Sequence, residues 1–397
     1  MGILQIMDTL KENKKIRILY IMNHAETGGS ALAFKELVCG VNEEEDIYPV
    51  AITGRYNQLN SFFTLRGIDN YHAPFKNFIS SYHAPAMLFS NLLRTRHYVG
   101  NKIALNKIEK EIDMSNIDLI HTNLDRIDIG MLLSEKYNIP HVWHLREHLG
   151  TDFKVMSLKK NFVNYMMRSN SEYIAVSNSV KNTWVKRGIP ENKIHVIYDG
   201  INVDDIRKKE DFSNKEKLNI VFMGGYYPNK GQITFLKLFN TLPLNIKNKI
   251  CVYFYGNGEK KYQKKLQNFI NKKKLNNQVY VNNYRDDIYK ILPKFDVGVN
   301  FSNDEGFGRV TVEYMAAGLT VIASNSGANK ELILPNENGY LIDANNKEET
   351  FLKSISCAIN SKTRKRIGKN NIARASKFSN TENINKIVEL YKRLLSK

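Results

Sequence analysis

The sequence is poor in cysteine: its 397 residues include only Cys39, Cys251 and Cys357. Three scattered cysteines, none in a Cys-x-x-Cys pair, exclude a disulfide scaffold and a cysteine-based zinc framework. No apolar run approaches the roughly 20 residues that a membrane-spanning helix needs. The first fifteen residues place their basic side chains after the apolar stretch, which is the reverse of a secretory signal. These absences predict a protein that works in the cytoplasm.

The composition is that of an ordinary globular protein, with 42% hydrophobic and 25% charged residues. The chain exceeds the size at which one hydrophobic core stops growing, so its length predicts two domains. The formal net charge is +18, of which residues 1–210 carry +3 and residues 211–397 carry +15. Three interpretations of the basic half stay open: an anionic ligand or membrane surface, a nucleic acid, or the solvated faces of lysine-rich helices.

Short β-branched runs alternate with amphipathic stretches in both halves of the chain. This alternation is typical of parallel sheets covered by helices, and two such blocks predict an α/β protein of two doubly wound, Rossmann-like domains that face a central cleft. Helices are expected over 30–41, 86–113 and 178–187 in the first block. The predicted strands are 16–22, 47–53, 118–122, 141–145, 173–177 and 193–199, then 218–224, 250–256, 279–281, 296–301, 319–324 and 339–342.

The polar, strandless stretch 201–217 indicates a linker between the two blocks. We therefore place an N-terminal domain at 1–205 and a C-terminal domain at 206–379. The final segment, 380–397, is helical by period and has an apolar face that needs a partner.

The sharpest motif follows the predicted strand 296–301. Glu305 ends a loop, and the run Gly306, Phe307, Gly308 then opens a helix that carries Glu313. A glycine-rich turn at the start of a helix presents backbone N–H groups to whatever lies above it, which makes a site for an anion or a hydroxyl group. Ligands of such folds bind outside the carboxyl ends of the strands, so we expect this turn to line the cleft.

A second motif, GGYYPNKGQ at 224–232, also links a predicted strand to a helix. Together with 305–324, 175–202 and the Thr-Gly-Gly-Ser turn at 27–30, it resembles the signature of glycosyltransferase family 4, whose members have the GT-B fold. The resemblance spans nearly the whole chain and is weakest over 55–115. It implies a metal-independent, hexosyltransferase-like enzyme that retains the anomeric configuration of the sugar, with a last helix that crosses back to the N-terminal domain.

The resemblance also implies a role for each residue of the first motif. Glu305 is expected beside the donor sugar, with a catalytic role. The backbone amides of Gly306, Phe307 and Gly308 are expected to meet the sugar and the phosphates, and Glu313 to hold the ribose hydroxyls.

Two cations suit the diphosphate that leaves when a nucleotide-sugar reacts. Lys230 supplies a point charge for it, and Arg309, directly after the glycine turn, is similar to a common variant near the phosphates. Family members usually have an arginine where this chain has Gly225, and Arg309 is our candidate for its replacement. The resemblance implies that the nucleotide base lies near Tyr284 and Arg285.

The first half supplies the other wall of the cleft. Gly28 and Gly29 open a helix after the first strand, and the resemblance implies that they approach the donor phosphates. His144, Glu147 and His148 form a His-x-x-Glu-His pattern, which binds zinc only with helical spacing. Because this segment is predicted to begin as a strand, we expect no metal, and the resemblance implies instead that His144 is a catalytic residue beside the transferred sugar.

No Asp-x-Asp occurs in the sequence. Sugar transferases that hold Mn²⁺ or Mg²⁺ between carboxylates depend on such a pair, whereas GT-B enzymes stabilise the leaving diphosphate with helix N-termini and cations. We therefore expect no cofactor, and a nucleoside-diphosphate-sugar, with UDP as the expected nucleotide, as the donor.

The acceptor we expect is a hydroxyl of a cell-envelope glycan, such as a capsular or cell-wall polysaccharide, carried on a lipid diphosphate. Two alternatives stay open. One is a nucleotide-sugar 2-epimerase of the same fold, which would convert its donor without an acceptor. The other is a nucleic-acid-binding protein, suggested by the basic half, although we expect no nucleic-acid partner.

A lipid-linked acceptor requires peripheral contact with the inner leaflet of the cell membrane. Two segments of the N-terminal domain are candidate contacts. One is the apolar stretch 2–10, and the other is 153–170, which we predict to be a basic amphipathic helix.

Overall fold

The computed structural model describes residues 15–23, 28–81, 90–149, 155–213 and 216–396. Within these ranges all but two of the strands form two separate parallel sheets, with helices in the connections between strands, so the predicted pair of Rossmann-like domains is confirmed. The candidate membrane contact at 2–10 lies outside the described residues.

The strands of the first domain are β1 (Ile16–Met22), β2 (Ile47–Thr53), β3 (Asp69–His72), β4 (Ile79–Ser81), β5 (Leu119–Asn123), β6 (His141–Leu145), β7 (Val155–Ser157), β8 (Glu172–Ala175) and β9 (Ile194–Val196). They form a seven-stranded sheet in the order β3-β2-β1-β5-β6-β8-β9, and β4 pairs with β7 as a separate antiparallel ribbon. The strands β5 and β6 are buried at every position, because helices cover both faces of a parallel sheet.

The strands of the second domain are β10 (Leu218–Met223), β11 (Ile250–Tyr255), β12 (Val279–Asn282), β13 (Val297–Asn300), β14 (Thr320–Ser324) and β15 (Gly339–Ile342). Their order is β12-β11-β10-β13-β14-β15. The order reverses between β10 and β13, and it is at such a reversal that doubly wound sheets bind their ligands.

The helices of the first domain are α1 (Gly29–Asn42), α2 (Gln58–Thr64), α3 (Ser90–Glu111), α4 (Ile129–Tyr137), α5 (Phe162–Met166) and α6 (Asn178–Lys186). Those that follow are α7 (Gln232–Thr241), α8 (Leu244–Lys247), α9 (Lys260–Lys272), α10 (Ile288–Ile291), α11 (Arg309–Ala316), α12 (Asn329–Leu332), α13 (Lys347–Ile359), α14 (Ser361–Ala375) and α15 (Asn380–Leu395). None of these helices combines the length and the apolar character that are needed to cross a membrane.

The helix α9 accounts for part of the basic charge of the second half of the chain. It buries Tyr262, Leu266 and Ile270 on one side and leaves the lysines of the 260–265 run exposed. This run is therefore the solvated face of an amphipathic helix.

The last helix, α15, returns to the first domain. Ile384, Ile387, Val388 and Tyr391 are buried within the same hydrophobic core as β1, β5 and α1. The described part of the stretch 201–217 packs on the second domain. Lys209 is buried, and its Nζ lies 3.2 Å from the carboxylate of Asp296.

The prediction of one amphipathic helix over 153–170 is wrong. Residues 155–157 form β7, which pairs antiparallel with β4 in the register Ile79 to Ser157. A helix of five residues, α5, follows and buries Val163 and Met166. The spacing of apolar residues within 153–170 does not depend on a strand partner about 75 positions away. The local sequence pattern therefore predicted a helix where the distant pairing forms a strand.

Candidate active site

Glu305 stands at the carboxyl edge of the second sheet, in the loop from β13 to α11. Its Oε2 lies 3.2 Å from Nζ of Lys230, which follows the neighbouring strand β10. Burial alone raises the pKa of Glu305, but the charge of Lys230 and hydrogen bonds with Ser302 and Asn300 outweigh burial and leave the pKa below its usual value. Glu305 is therefore an anionic carboxylate with a cation beside it at neutral pH.

Two glycines shape the turn that follows this carboxylate. Gly308 precedes α11 with a φ of +92°, a left-handed conformation that favours glycine. A Cβ on Gly306 would lie 2.4 Å from the carbonyl oxygen of Arg146, so only glycine lets the turn approach the first domain so closely. The hydroxyl of Ser177 donates a 2.6 Å hydrogen bond to the Gly306 carbonyl. The turn thus lies against the segment that carries His144.

Phe307, between the two glycines, is 4% exposed. Its ring packs against Tyr198 of the first domain and Phe378 near the end of the chain. The side chain therefore belongs to the contact between the domains, and a donor contact by this residue would come from its backbone amide.

Glu313 is buried on α11, 6% exposed, and accepts a 2.9 Å hydrogen bond from the hydroxyl of Tyr289. Burial raises the pKa of Glu313, and the charge of Arg309 opposes this rise. A carboxyl group held in this way on the helix that opens at the glycine turn suits the binding of ligand hydroxyls.

Arg309 connects the two domains. Its Nη2 lies 2.7 Å from Oε2 of Glu36 on α1, and its Nη1 donates a 2.7 Å hydrogen bond to the carbonyl of Gly200. It also lies beside the turn that opens α1, because a Cβ on Gly29 would be 3.4 Å from Cδ of Arg309. Gly28 precedes that helix with a φ of +95°. The structure thus brings Arg309, Gly28 and Gly29 together, with the guanidinium bonded to the first domain.

An aromatic ring fills the space next to Gly225, where family members were expected to have an arginine. A Cβ on Gly225 would lie 2.8 Å from two ring carbons of Tyr227. Lys230 stands at the end of the short 3-10 turn Pro228–Lys230 that follows, with its side chain 33% exposed. The cation on this loop is therefore Lys230.

Tyr284 and Arg285 follow β12 at the same edge of the sheet. The strands β11 and β10 separate β12 from β13. Tyr284 and Arg285 therefore lie three strand spacings, roughly 14 Å, from the strand that leads to Glu305. Tyr284 is 62% exposed, and Arg285 makes two hydrogen bonds of 2.7 Å with Asp287. They are thus separated from the Glu305–Lys230 pair along the sheet edge.

His144 stands on β6, 1% exposed. Burial lowers its pKa well below the usual range, and the charges of Arg146 and His121 lower it further, so the imidazole is neutral. Nδ1 of His144 lies 3.1 Å from Nε2 of His121, and Nδ1 of His121 lies 2.5 Å from the hydroxyl of Tyr391 on α15. A buried hydrogen-bonded chain therefore runs from the last helix to His144.

The direction of this chain follows from Arg146. A guanidinium only donates, and Nη2 of Arg146 lies 3.5 Å from Nδ1 of His144, so this nitrogen is the acceptor. The proton of neutral His144 is then on Nε2, a buried atom with no hydrogen-bond partner among the described residues. His144 is thus prepared to donate a hydrogen bond rather than to accept a proton.

Arg146 is itself fixed by buried partners. Its Nε donates to Oδ1 of Asn123 at 2.7 Å, and its Nη1 donates to Oδ1 of Asp199 at 2.6 Å. The arrangement holds the carbonyl of Arg146 where Gly306 meets it.

The other members of the His-x-x-Glu-His pattern contact separate partners. Glu147 pairs with Arg126, with 2.6 Å between Oε2 and Nη2, and Nδ1 of His148 lies 2.9 Å from the hydroxyl of Thr183. Across the described ranges, no three His, Cys, Asp or Glu side chains are grouped as metal ligands.

Sequence reasoning missed five residues of this site: Glu36, His121, Asp199, Tyr289 and Tyr391. All but Asp199, which falls within 175–202, lie outside the motifs, and each has its partner in another part of the chain. Arg309 and Glu36 are 273 positions apart, and His121 and Tyr391 are 270 apart. The only local signal is for His121, which ends a predicted strand as His144 does.

The fold and the site define a GT-B enzyme, and solved structures agree. A structure of HepE from Anabaena with UDP covers 95% of this chain and 100% of its own, with a TM-score of 0.76 and 19% sequence identity. A glycosyltransferase from Rickettsia africae covers 96% of this chain and 99% of its own, with a TM-score of 0.74 and 20% identity. At these identities the likeness establishes the fold.

Sequence relatives establish the family. The family model "Glycosyltransferase Family 4" matches residues 68–205, and "Glycosyl transferases group 1" matches residues 202–374. An uncharacterised glycosyltransferase of Methanocaldococcus jannaschii is 30% identical over 284 residues, which are 70% of this chain and 75% of that one. The capsular polysaccharide biosynthesis glycosyltransferase CapH of Staphylococcus aureus is 21% identical, over 87% of this chain and 90% of its own. The chain belongs to the group 1 and family 4 glycosyltransferases, which confirms the resemblance.

Proposed function

We propose that this glycosyltransferase moves a hexose, with retention of configuration, from a nucleoside-diphosphate-sugar to a hydroxyl of a cell-envelope glycan. The observation that carries the proposal is the Glu305–Lys230 pair, 3.2 Å apart beside the glycine turn that opens α11. An anion next to a cation suits a reaction in which positive charge develops on the sugar and negative charge on the departing diphosphate.

In the proposed reaction the bond between the anomeric carbon and the diphosphate oxygen breaks, and the acceptor oxygen bonds to the same face of the sugar. The acceptor proton passes to the leaving phosphate. Lys230 and the amides of Gly306 and Gly308 stabilise the diphosphate, and Glu305 stabilises the cationic sugar. His144 donates a hydrogen bond from Nε2 to a sugar hydroxyl, because its Nδ1 is the acceptor of the buried contacts with His121 and Arg146.

In the proposed donor complex, Glu313 and the residues that follow the outer strand β12 bind the nucleoside. Glu313 accepts from the ribose hydroxyls, Tyr284 and Arg285 lie by the base, and Gly28, Gly29 and Arg309 lie near the phosphates. HepE, which shares the fold, has been solved with UDP and with UDP-glucose, and this supports a UDP-linked hexose as the donor.

The proposed acceptor is supported by the functions of sequence relatives. CapH is a capsular polysaccharide enzyme, and WclY of Escherichia coli, 28% identical over 139 residues, is an O-antigen biosynthesis glycosyltransferase. They support an envelope polysaccharide as the product. We propose an acceptor carried on a lipid diphosphate, reached by a protein that associates peripherally with the inner leaflet of the membrane.

A panel of nucleotide-sugars in a thermal-shift assay tests the donor proposal. The true donor at 100 times its Kd stabilises the folded state by about 2.7 kcal/mol, whereas the free sugar gives no shift. Product formed from the donor alone, without an acceptor, would favour the 2-epimerase. A shift with nucleic acid and with no nucleotide-sugar would contradict the proposal.

We also propose that transfer needs no metal ion, because cations and helix-terminal amides are available for the diphosphate. Activity is expected to survive excess EDTA unchanged, as measured by release of the nucleoside diphosphate. Loss of activity with EDTA, followed by recovery on addition of Mn²⁺, would place the protein in a different mechanistic class.

A further inference from the structure

The helix α3 (Ser90–Glu111) carries polar side chains on its buried side. His97 and Asn101 are 4% and 3% exposed, and both contact Oδ1 of Asp128, at 3.1 and 2.7 Å. Tyr165 donates to the other oxygen of the same carboxylate at 2.7 Å. The contact between α3 and the first domain is thus in part a polar network.

The outward side of α3 exposes a stripe of apolar side chains among its polar ones, whereas the exposed side of a surface helix is usually polar. Leu92, Val99 and Ile103 are 55%, 47% and 54% exposed. Spacings of seven and four residues place these three side chains within about 40° of one another, and Val99 lies roughly 200° round the axis from His97. The buried side of α3 thus mixes His97 and Asn101 with the apolar Ala104 and Ile108, while the opposite side exposes three apolar side chains.

Cations accompany this apolar stripe. Arg96, Lys102 and Lys110 are exposed on the same half of α3. The two acidic residues of the helix lie near its C-terminus and are already paired with lysines. Glu109 lies 2.7 Å from Nζ of Lys136, and Glu111 lies 3.7 Å from Nζ of Lys107. The α3 face, defined as Leu92, Arg96, Val99, Lys102, Ile103 and Lys110, is thus apolar and basic.

More basic residues adjoin the start of the helix. Nε of Arg94 donates a 3.1 Å hydrogen bond to the carbonyl of Leu158, which brings the end of β7 to α3. Lys159 and the exposed Lys160 follow directly. This segment therefore adds positive charge beside the start of α3, on the side of the helix that carries Arg94.

We propose that the α3 face docks on an anionic lipid headgroup layer. Leu92, Val99 and Ile103 enter the boundary between headgroups and acyl chains, while the flanking cations meet the lipid phosphates. A convex helix face that combines apolar side chains with cations, and that carries no acidic side chain of its own, fits a negatively charged, deformable surface. The inference deepens the proposed function, since it names the surface through which the enzyme reaches a lipid-linked acceptor.

Vesicle flotation with the full chain tests the proposal, because it measures binding and not transfer. At low salt we expect the protein to float with vesicles of phosphatidylcholine and phosphatidylglycerol, and far less with phosphatidylcholine alone. The triple variant Leu92→Gln, Val99→Gln, Ile103→Gln should lose at least tenfold in partitioning. The triple variant Arg96→Gln, Lys102→Gln, Lys110→Gln should lose about fivefold per charge, or roughly a hundredfold.

Matched controls distinguish binding through the α3 face from non-specific binding by any exposed apolar or basic side chain. Leu65, Leu244 and Leu334 are exposed elsewhere on the molecule, and their triple substitution to Gln should leave flotation unchanged. The same holds for Lys261, Lys264 and Lys265 on α9, substituted to Gln. Glutamine is a good helix former, and unchanged thermal unfolding of all four variants checks that the fold is intact.

Three results would overturn the proposal: negligible flotation with both vesicle types, equal losses in the control variants, or full flotation of the Leu92, Val99, Ile103 variant. Light scattering that shows a dimer made monomeric by that variant would also overturn it, in favour of self-association. Transfer to a water-soluble acceptor analogue should be unaffected by the α3 substitutions. Failure of docking and failure of the proposed transferase activity are therefore distinguishable.

Discussion

Glu305 and Lys230 each stand on a short loop after a buried strand, and the two strands are neighbours in the sheet. This placement makes their 3.2 Å contact a property of the sheet edge rather than of flexible side chains. Because both charges are fixed before any ligand arrives, they stabilise a developing charge without the reorganisation that water would need.

Removal of either charge should therefore be costly for catalysis. Glu305→Gln and Lys230→Ala are each expected to lower kcat by at least about 10²-fold, the usual effect of losing one preorganised electrostatic group. Initial rates of nucleoside diphosphate release measure the effect. Glu337→Gln and Lys237→Ala, both at exposed positions, serve as matched controls. Rates near that of the unmodified enzyme in both site variants would contradict the assignment.

A buried histidine outside the proposed chemistry predicts a pH effect on stability. His141 contacts the hydroxyls of Thr122 and Ser171, at 2.8 and 2.7 Å. Burial lowers its pKa from 6.5 to about 3. Below pH 6.5 His141 is protonated in the unfolded chain but stays neutral in the folded chain until the pH approaches 3. The stabilising contribution is thus present above pH 6.5 and is lost as the pH falls towards 3.

The loss attributable to His141 between pH 7.5 and pH 5.5 is about 1.4 kcal/mol. Urea denaturation at the two pH values measures it. In His141→Gln the decrease in unfolding free energy should be smaller than in the unmodified chain by that amount. An identical decrease in both proteins would show that His141 gains its proton in the folded state as well.

The sequence predicted the residues of the local motifs and not their distant partners. Glu305, Lys230 and Glu313 follow strands within recognisable turns, so their position at the sheet edge follows from the topology of the fold. Arg309 is predicted to lie near the donor phosphates, and the structure adds a pairing with Glu36 that the sequence does not indicate. Which carboxylate lies opposite Arg309 depends on how two domains meet, and local spacing carries no information about that.

At the scale of elements, α15 is a part of the first domain supplied by the far end of the chain. Ile387 is fully buried in the core that contains β1 and α1. Deletion of 380–397 is therefore expected to give insoluble or unstable protein, as judged by expression and thermal unfolding. Ile387→Ala should cost about 2–5 kcal/mol of unfolding free energy, whereas Glu389→Ala on the exposed side should stay within about 0.5 kcal/mol. A folded, active truncation would show that α15 is dispensable.

Elements were predictable to the extent that burial was complete. The central parallel strands are short, buried runs rich in apolar residues, so their positions follow from the sequence. The edge strand β3, with the sequence Asp-Asn-Tyr-His, is only half buried and was not predicted. The ribbon of β4 and β7 was missed for a different reason, since its pairing joins segments about 75 positions apart.

At the scale of the whole molecule, polar contacts act together with a hydrophobic cluster that spans both domains to hold them in their observed relation. Glu331 of the second domain accepts hydrogen bonds from the backbone N–H of Asn178, at 2.9 Å, and of Ser179, at 2.7 Å, at the start of α6. The Arg309–Glu36 pair is more deeply buried, with side chains 9% and 12% exposed. Breaking a buried pair is costly because one charge is left without its partner.

A double-mutant cycle measures this coupling between the domains. Glu36→Gln and Arg309→Gln should each lower the unfolding free energy by about 3–5 kcal/mol. The double variant should lose about 1–3 kcal/mol less than the sum of the two single losses. Additive losses would mean that the two side chains do not stabilise each other across the interface.

The return of α15 to the first domain also has a consequence for synthesis on the ribosome. The first strand of that domain emerges early, but Tyr391, which completes both its core and the hydrogen-bonded chain to His144, is made much later. At about 5–20 residues per second, roughly 20–75 s separate the two events. Throughout that interval the nascent first domain exposes the apolar surface that α15 later covers. The nascent first domain therefore cannot complete its core until α15 has been made and has left the ribosome.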